Sequence, residues 1–150
     1  MKILIKNGHV VDPSQGLDGK YDILIEGKKV AKVYRGRGTR PKTGAGDKTI
    51  DASGLYVVPG LVDMHVHLRE PGFEHKETIK TGTQAAVRGG FTSVCAMPNT
   101  SPVNDNPGIT EYILQKAKEE GVCRVYPIGA VTKEQKGETL CEIGLMMEEG

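Results

Sequence analysis

Apolar and polar residues alternate in two different rhythms along this chain. From Met1 to about Gly54 the apolar runs are short and soon interrupted. Lys2–Lys6 (KILIK) and Tyr21–Glu26 (YDILIE) are β-branched runs, each followed by a turn signal, at Asn7-Gly8 and at Gly27. Lys28–Tyr34 (KKVAKVY) alternates, so the pattern predicts antiparallel hairpins, one of them Ile23–Glu26, a turn at Gly27, then Val30–Val33.

After Gly54 the rhythm becomes strand, helix, strand, helix. Leu55–Val58 reads as a short strand ended by Pro59-Gly60, and Leu61–His67 (LVDMHVH) as the next. A helix is predicted over Glu74–Arg88, stopped by Gly89-Gly90. Phe91–Met97 (FTSVCAM) is almost continuously apolar, as a parallel strand buried on both faces should be. Pro107 suits a first helical turn, and Ile109, Tyr112, Ile113, Lys116, Ala117 and Glu120 follow helical spacing to Gly121. Val122–Val131 is the next expected strand and Thr139–Glu149 the last helix. Such alternation implies βαβ units on a parallel sheet. Each unit takes roughly 30 residues, so about three follow Gly54. A closed (β/α)8 barrel takes roughly 250 residues. The expected fold class is therefore α/β: a partial TIM-type (β/α)8 barrel over 55–150, preceded by a small β-sandwich-like segment over 1–54.

Composition narrows the function classes. The 150 residues carry a formal net charge of +1, which gives no electrostatic case for nucleic acid or an anionic membrane. No apolar run approaches the ~20 residues of a membrane span, and the N-terminus lacks a signal-peptide core, so a cytoplasmic protein is expected. The stretch Arg35–Lys48 (RGRGTRPKTGAGDK) is basic and glycine-rich. Without a following P-loop pattern it reads as a solvated loop rather than a phosphate site. Cys95, Cys123 and Cys141 form no C-x-x-C pair and sit in apolar contexts, so three buried free thiols are expected. His9 is expected exposed in a turn, and His75 at the opening of a helix.

The residues that carry chemistry gather after Pro59-Gly60, in Asp63-Met64-His65-Val66-His67. On a strand, residues i and i+2 share a face. His65 and His67 should therefore project together, Val66 away from them, and Asp63 on the histidines' side. Two imidazoles at a barrel strand's C-terminal end, where barrel active sites lie, can hold one metal ion. Asp63 could orient one of them from behind.

Here a resemblance becomes specific. Ile50-Asp51-Ala52-Ser53-Gly54 followed by Val58–His67 resembles the entry to the first barrel strand of the amidohydrolase superfamily. Leu68-Arg69-Glu70-Pro71-Gly72 narrows the likeness to the cyclic amidohydrolases. Phe91–Thr100 (FTSVCAMPNT) narrows it again, and the whole chain is similar to the N-terminal portion of the dihydroorotase family. The resemblance implies zinc-dependent, reversible hydrolysis of L-dihydroorotate to N-carbamoyl-L-aspartate in pyrimidine biosynthesis. It implies His65 and His67 as zinc ligands, one or two Zn2+ ions, and Arg69 and Asn99 as groups that bind the substrate carboxylate. Further ligands and the general acid/base are expected beyond residue 150, so no catalytic residue is assigned within this chain. The 150 residues alone should be an incomplete, inactive fragment. Strand geometry should keep Arg69 near the rim occupied by His67, and its guanidinium can grip a carboxylate bidentately.

Three alternatives stay open. Allantoinase and dihydropyrimidinase or hydantoinase share the H-x-H strand, but their substrates lack the carboxylate that Arg69 and Asn99 would serve. A non-catalytic dihydroorotase-like subunit, partnering aspartate transcarbamoylase, tends to lose the metal histidines that stand intact here. The expected partner is a small-molecule substrate, with a homo-oligomer or a transcarbamoylase association left open.

Overall fold

The computed structural model describes residues 1–35 and 44–150. It forms two compact units, Met1–Pro59 and Gly60–Gly150. Among the described residues no helix is long and apolar enough to cross a membrane.

The first unit is a five-stranded mixed sheet organised by one long strand. β1 (Lys2–Asp12) pairs antiparallel with β2 (Leu17–Glu26), which pairs antiparallel with β3 (Lys29–Arg35). The predicted hairpin is present: Ile23 faces Val33, Ile25 faces Val30, and Gly27 turns the chain with φ 62°. β4 (Lys48–Asp51) and β5 (Tyr56–Val57) both run parallel to β1, giving the order β3-β2-β1-β4 with β5 also on β1. Leu4, Val10, Ile23, Leu24 and Ala52 are its buried apolar residues.

Several expectations are corrected here. Asn7-Gly8 is a bulge inside β1, because Asn7 takes a left-handed φ of 63° and the register slips between Ile5 and Gly8 before pairing resumes. Gly8 is required there, since a Cβ would stand 2.6 Å from Val57 Cγ2. His9 therefore lies in a strand, half-buried, 2.6 Å from the Asp18 carboxylate. The strand at Leu55–Val58 shortens to Tyr56–Val57, and its pairing with β1 places it in the first unit. The centre of the basic stretch, residues 36–43, lies outside the described residues.

The second unit alternates as the pattern predicts. β6 (Leu61–Val66), α1 (Ile79–Arg88), β7 (Phe91–Ala96), α2 (Pro107–Glu120), β8 (Arg124–Pro127) and α3 (Ile143–Glu149) follow in order. The three strands are parallel in the order β6-β7-β8. Leu68, Ile79, Val94, Ala96, Ile113 and Val125 form the core between sheet and helices, and Val66 packs against it. Burial of this kind stabilises by about 25 cal/mol per Å2 of apolar surface. Register places Val62, Ser93, Cys95 and Tyr126 on the opposite face. Val62 is 59 % exposed and Tyr126 50 %. In a closed barrel the inward face is filled by side chains. An inward face open at Val62 and Tyr126, with β6 and β8 each paired on one side only among the described residues, makes this a partial, unclosed TIM-barrel-like arrangement.

Helix α1 starts at Ile79 rather than Glu74. Thr78 caps it, accepting from Thr81 N at 3.1 Å while Thr81 Oγ1 returns the bond to Thr78 N, a reciprocal capping box that fixes the start. His75 consequently sits in the preceding turns. β8 is shorter than Val122–Val131 and ends at Pro127, with Ile128 N making the last bond to β7, to Ala96 O at 2.8 Å. α3 begins at Ile143, after Thr132 and Leu140 form an isolated bridge. All three cysteines are free, but only Cys141 is buried; Cys95 and Cys123 are half-buried. Burial pushes the Cys123 and Cys141 thiols upward in pKa, which keeps them protonated and unreactive.

Candidate metal and anion site

The C-terminal ends of β6 and β7 are tied together by Met97 N donating to Val66 O at 2.8 Å. His67 follows directly on one side of that tie and Asn99 two residues on at the other. The structure brings them into contact: His67 Nδ1 lies 2.8 Å from Asn99 Oδ1. An amide oxygen can only accept, so Nδ1 carries the proton. The neutral ring then presents an unprotonated Nε2, the form in which imidazole binds a metal.

His65 and His67 do come together, although the strand ends at Val66. Their ring centroids are 5.2 Å apart, edge to face, and both rings are exposed. Asp63 acts on His65 by a route that the period-two pattern does not give. The β6–β7 register slips between Asp63 and Val66, so simple alternation does not carry through. Asp63 lines the same cavity as Val66, His67 and Val94, and its Oδ1 accepts from the backbone N–H of His65 at 3.0 Å. Asp63 thus restrains His65 through the main chain, not through the ring.

Arg69 does not reach the rim by strand geometry, since it lies three residues past β6 with a left-handed φ of 65°. Its carbonyl accepts from Phe73 N at 2.9 Å. A surface ion pair with Glu70 or Glu74 is the ordinary fate of such an arginine, and neither occurs. Glu70 bonds Ile79 N, Glu74 bonds Gly72 N at 2.7 Å, and among the described residues Arg69 has no salt-bridge partner. Its guanidinium is therefore available.

The loop that bears Asn99 is rigidly mounted. Asn104 is fully buried; its N–H donates to Pro98 O, its Nδ2 to Ile128 O, and its Oδ1 accepts from Thr110 Oγ1 at 2.8 Å. Ser101 N donates to Pro71 O at 3.0 Å, so the loops carrying Arg69 and Asn99 are joined. With Oδ1 committed to His67, Asn99 has Nδ2 left as a donor. Among the described residues no group of three or more His, Cys, Asp or Glu converges. A catalytic zinc takes three protein ligands and keeps a position open. The two imidazoles fit as two of those three. The sequence did not reveal the Asn99–His67 bond, because it joins residues on different strands; nor did it reveal the burial of Glu70.

Comparison with known proteins bears on the fold and the family. The chain is similar, with a TM-score of 0.73 and 25% identity, to an L-hydantoinase (dihydropyrimidinase) of Arthrobacter aurescens, covering 87% of this chain and 28% of that one. A dihydropyrimidinase of Brevibacillus agri aligns with a TM-score of 0.70 and 28% identity over 99% of this chain and 30% of the other. The fold and these likenesses define the class, that of the cyclic amidohydrolases. The dihydro-orotase-like family model matches residues 54–150, and the chain belongs to that family. It is 57% identical over its 150 residues to a dihydroorotase of Syntrophotalea carbinolica and 55% identical to one of Trichlorobacter lovleyi. In both cases all of this chain is covered but 34% of the relative, so the chain spans about a third of the curated proteins it matches.

Proposed function

We propose that this chain is the N-terminal part of a zinc-dependent dihydroorotase, which interconverts L-dihydroorotate and N-carbamoyl-L-aspartate in the cytoplasm. The observation that carries the proposal is the His67–Asn99 hydrogen bond, which couples a metal-type imidazole to an amide able to bind an anion. His65 and His67 hold the metal from one side of the barrel mouth. When bound, zinc supplies Lewis acidity toward a ring carbonyl and lowers the pKa of water. Asn99 fixes the His67 tautomer and turns its free N–H2 toward the substrate carboxylate. Arg69, unclaimed by its acidic neighbours, grips the same carboxylate with charge-assisted hydrogen bonds of about 1.5–3 kcal/mol each. Proton transfer to the leaving nitrogen, and the remaining metal ligands, fall to residues outside these 150.

A hydantoinase or dihydropyrimidinase would bind an uncharged ring and have no use for Arg69 and Asn99 as an anion pair. A non-catalytic partner of aspartate transcarbamoylase would have no use for two exposed, aligned imidazoles. The test is to isolate the protein from its native source, measure its intact mass, and assay ring opening of L-dihydroorotate, allantoin and dihydrouracil with zinc present. The expected result is a mass near three times that of this chain and turnover of L-dihydroorotate alone. A mass matching the 150 residues, with no turnover, would overturn autonomous catalysis. Turnover of dihydrouracil in preference would overturn the substrate.

A further inference from the structure

Two buried residues flank Arg69. Leu68 is 5 % exposed and packs against Gly82 of α1 so closely that a Cβ there would stand 2.5 Å from Leu68 Cδ2. Glu70 is 6 % exposed. With both neighbours committed inward, Arg69 takes the left-handed backbone that L side chains rarely adopt. A buried carboxylate is costly unless its oxygens are satisfied, and those of Glu70 are satisfied by two helices at once. Oε2 accepts from Ile79 N, the first amide of α1, at 2.9 Å. Oε1 lies 3.4 Å from Tyr112 Oη and 3.7 Å from Lys116 Nζ, both on α2. The acidic group nearest to Arg69 in sequence is thus held away from it.

We propose that Glu70 is a positioning residue for substrate binding: its carboxylate straps the loop after β6 to α1 and α2, which sets Arg69 at the mouth and keeps the one adjacent carboxylate off its guanidinium. The strap explains two observations together, an arginine in a left-handed conformation and the absence of its usual ion pair. Glutamine at position 70 would still accept from Ile79 N but would lose the charge that Lys116 meets, so the strap would slacken and not vanish. The effect passes through Arg69 to the substrate carboxylate; the metal imidazoles are supported separately, by Asn99 and Asp63.

This inference rests on the reading of Arg69 as the carboxylate-binding group. It is tested by a double-mutant cycle in the full-length protein, with Glu70→Gln, Arg69→Ala and the two combined, measuring KM and kcat for L-dihydroorotate and bound zinc. Glu70→Gln is expected to raise KM about tenfold, with kcat within about twofold and zinc unchanged. In the Arg69→Ala background the same change should add almost nothing, because its route to the substrate is gone. Equal fold-changes in both backgrounds, or a parallel loss of kcat and zinc, would overturn the proposal in favour of a general structural role. If Glu70→Gln does not fold, Lys116→Met loosens the α2 side alone and enters the same cycle, with a smaller rise in KM expected and additivity again overturning the strap. A zinc-loaded wild-type protein that leaves dihydroorotate intact overturns the functional reading itself, an outcome separate from any result of the cycle.

Discussion

Replacing Gly72 with alanine should unlock the two loops of the site. Gly72 has φ 94°, and a Cβ there would lie 2.0 Å from the Ser101 carbonyl oxygen and 2.6 Å from Ser101 Cβ. Ordinary contact begins near 3.4 Å, so the backbones must part by roughly 1.4 Å. Backbone cannot yield as a flexible side chain can. The unfavourable φ alone costs about 1–3 kcal/mol, and losing the 3.0 Å bond from Ser101 N to Pro71 O adds about 0.5–1.5 kcal/mol. A local destabilisation of about 1.5–4.5 kcal/mol follows, which converts to roughly 12- to 1600-fold faster hydrogen exchange at the Ser101 amide, at 1.4 kcal/mol per factor of ten. Gly137→Ala is the control: its φ is 78°, yet nothing lies within 4 Å of the added Cβ. It carries the conformational penalty without the clash and should leave Ser101 protection intact. Equal exchange at Ser101 in the two variants would refute the reasoning, since the loops would then be free to separate without cost.

Three further outcomes are expected. Ile79→Ala empties a side chain with no solvent exposure in the core under α1, and should lower unfolding stability by about 2–5 kcal/mol, read as a reduced urea midpoint. Asp105 titrates below the usual 3.8, chiefly because Glu134 N donates to its carboxylate at 2.7 Å, with help from Asn106. A depressed folded pKa means the unfolded chain binds more protons in that window, so this contribution is complete above about pH 4 and lost as pH falls through the folded value. Asp105→Asn should remove that part of the acid sensitivity, seen as a flatter stability profile below pH 4. Finally, His67→Ala in the full-length protein should abolish stoichiometric zinc, measured by elemental analysis, whereas Arg69→Ala should keep zinc and lose substrate affinity.

The parts of the fold that could be read in advance are those set by local pattern. Phe91–Ala96 is legible because a central parallel strand favours a largely apolar run, and α2 because Pro107, the apolar spacing and Gly121 all agree. What escaped depends on partners distant in the chain. Asn7-Gly8 has the chemistry of a turn, yet pairing with β2 on one flank and β4 and β5 on the other carries β1 straight through it. The start of α1 was set by Thr78 and Thr81, a capping pair that helical periodicity cannot see. At the site, the spacing of His65 and His67 survived the end of the strand, whereas the same spacing applied to Arg69 did not, because a left-handed residue breaks the alternation. No local pattern marks Glu70 as buried, and only the approach of two helices makes it so.

The sheet of the first unit makes very different demands on the lengths of its connections. β3 and β4 lie at opposite ends of the order β3-β2-β1-β4, three strand spacings or roughly 14 Å apart. Arg35 stands in the row of Tyr21 and Gly8, while Lys48 stands beside Ile3, a further offset of about 17 Å along β1. Covering both takes about seven extended residues at some 3.4 Å each, and residues 36–47 exceed that. Insertions there are cheap, since doubling a loop costs only about 0.6 kcal/mol. The two-residue link at Gly27-Lys28 has no such latitude, because one added residue would slip β3 by one position and take Val30 and Val33 out of register with Ile25 and Ile23. Among relatives of this chain, differences in length should therefore collect between β3 and β4 and be missing between β2 and β3.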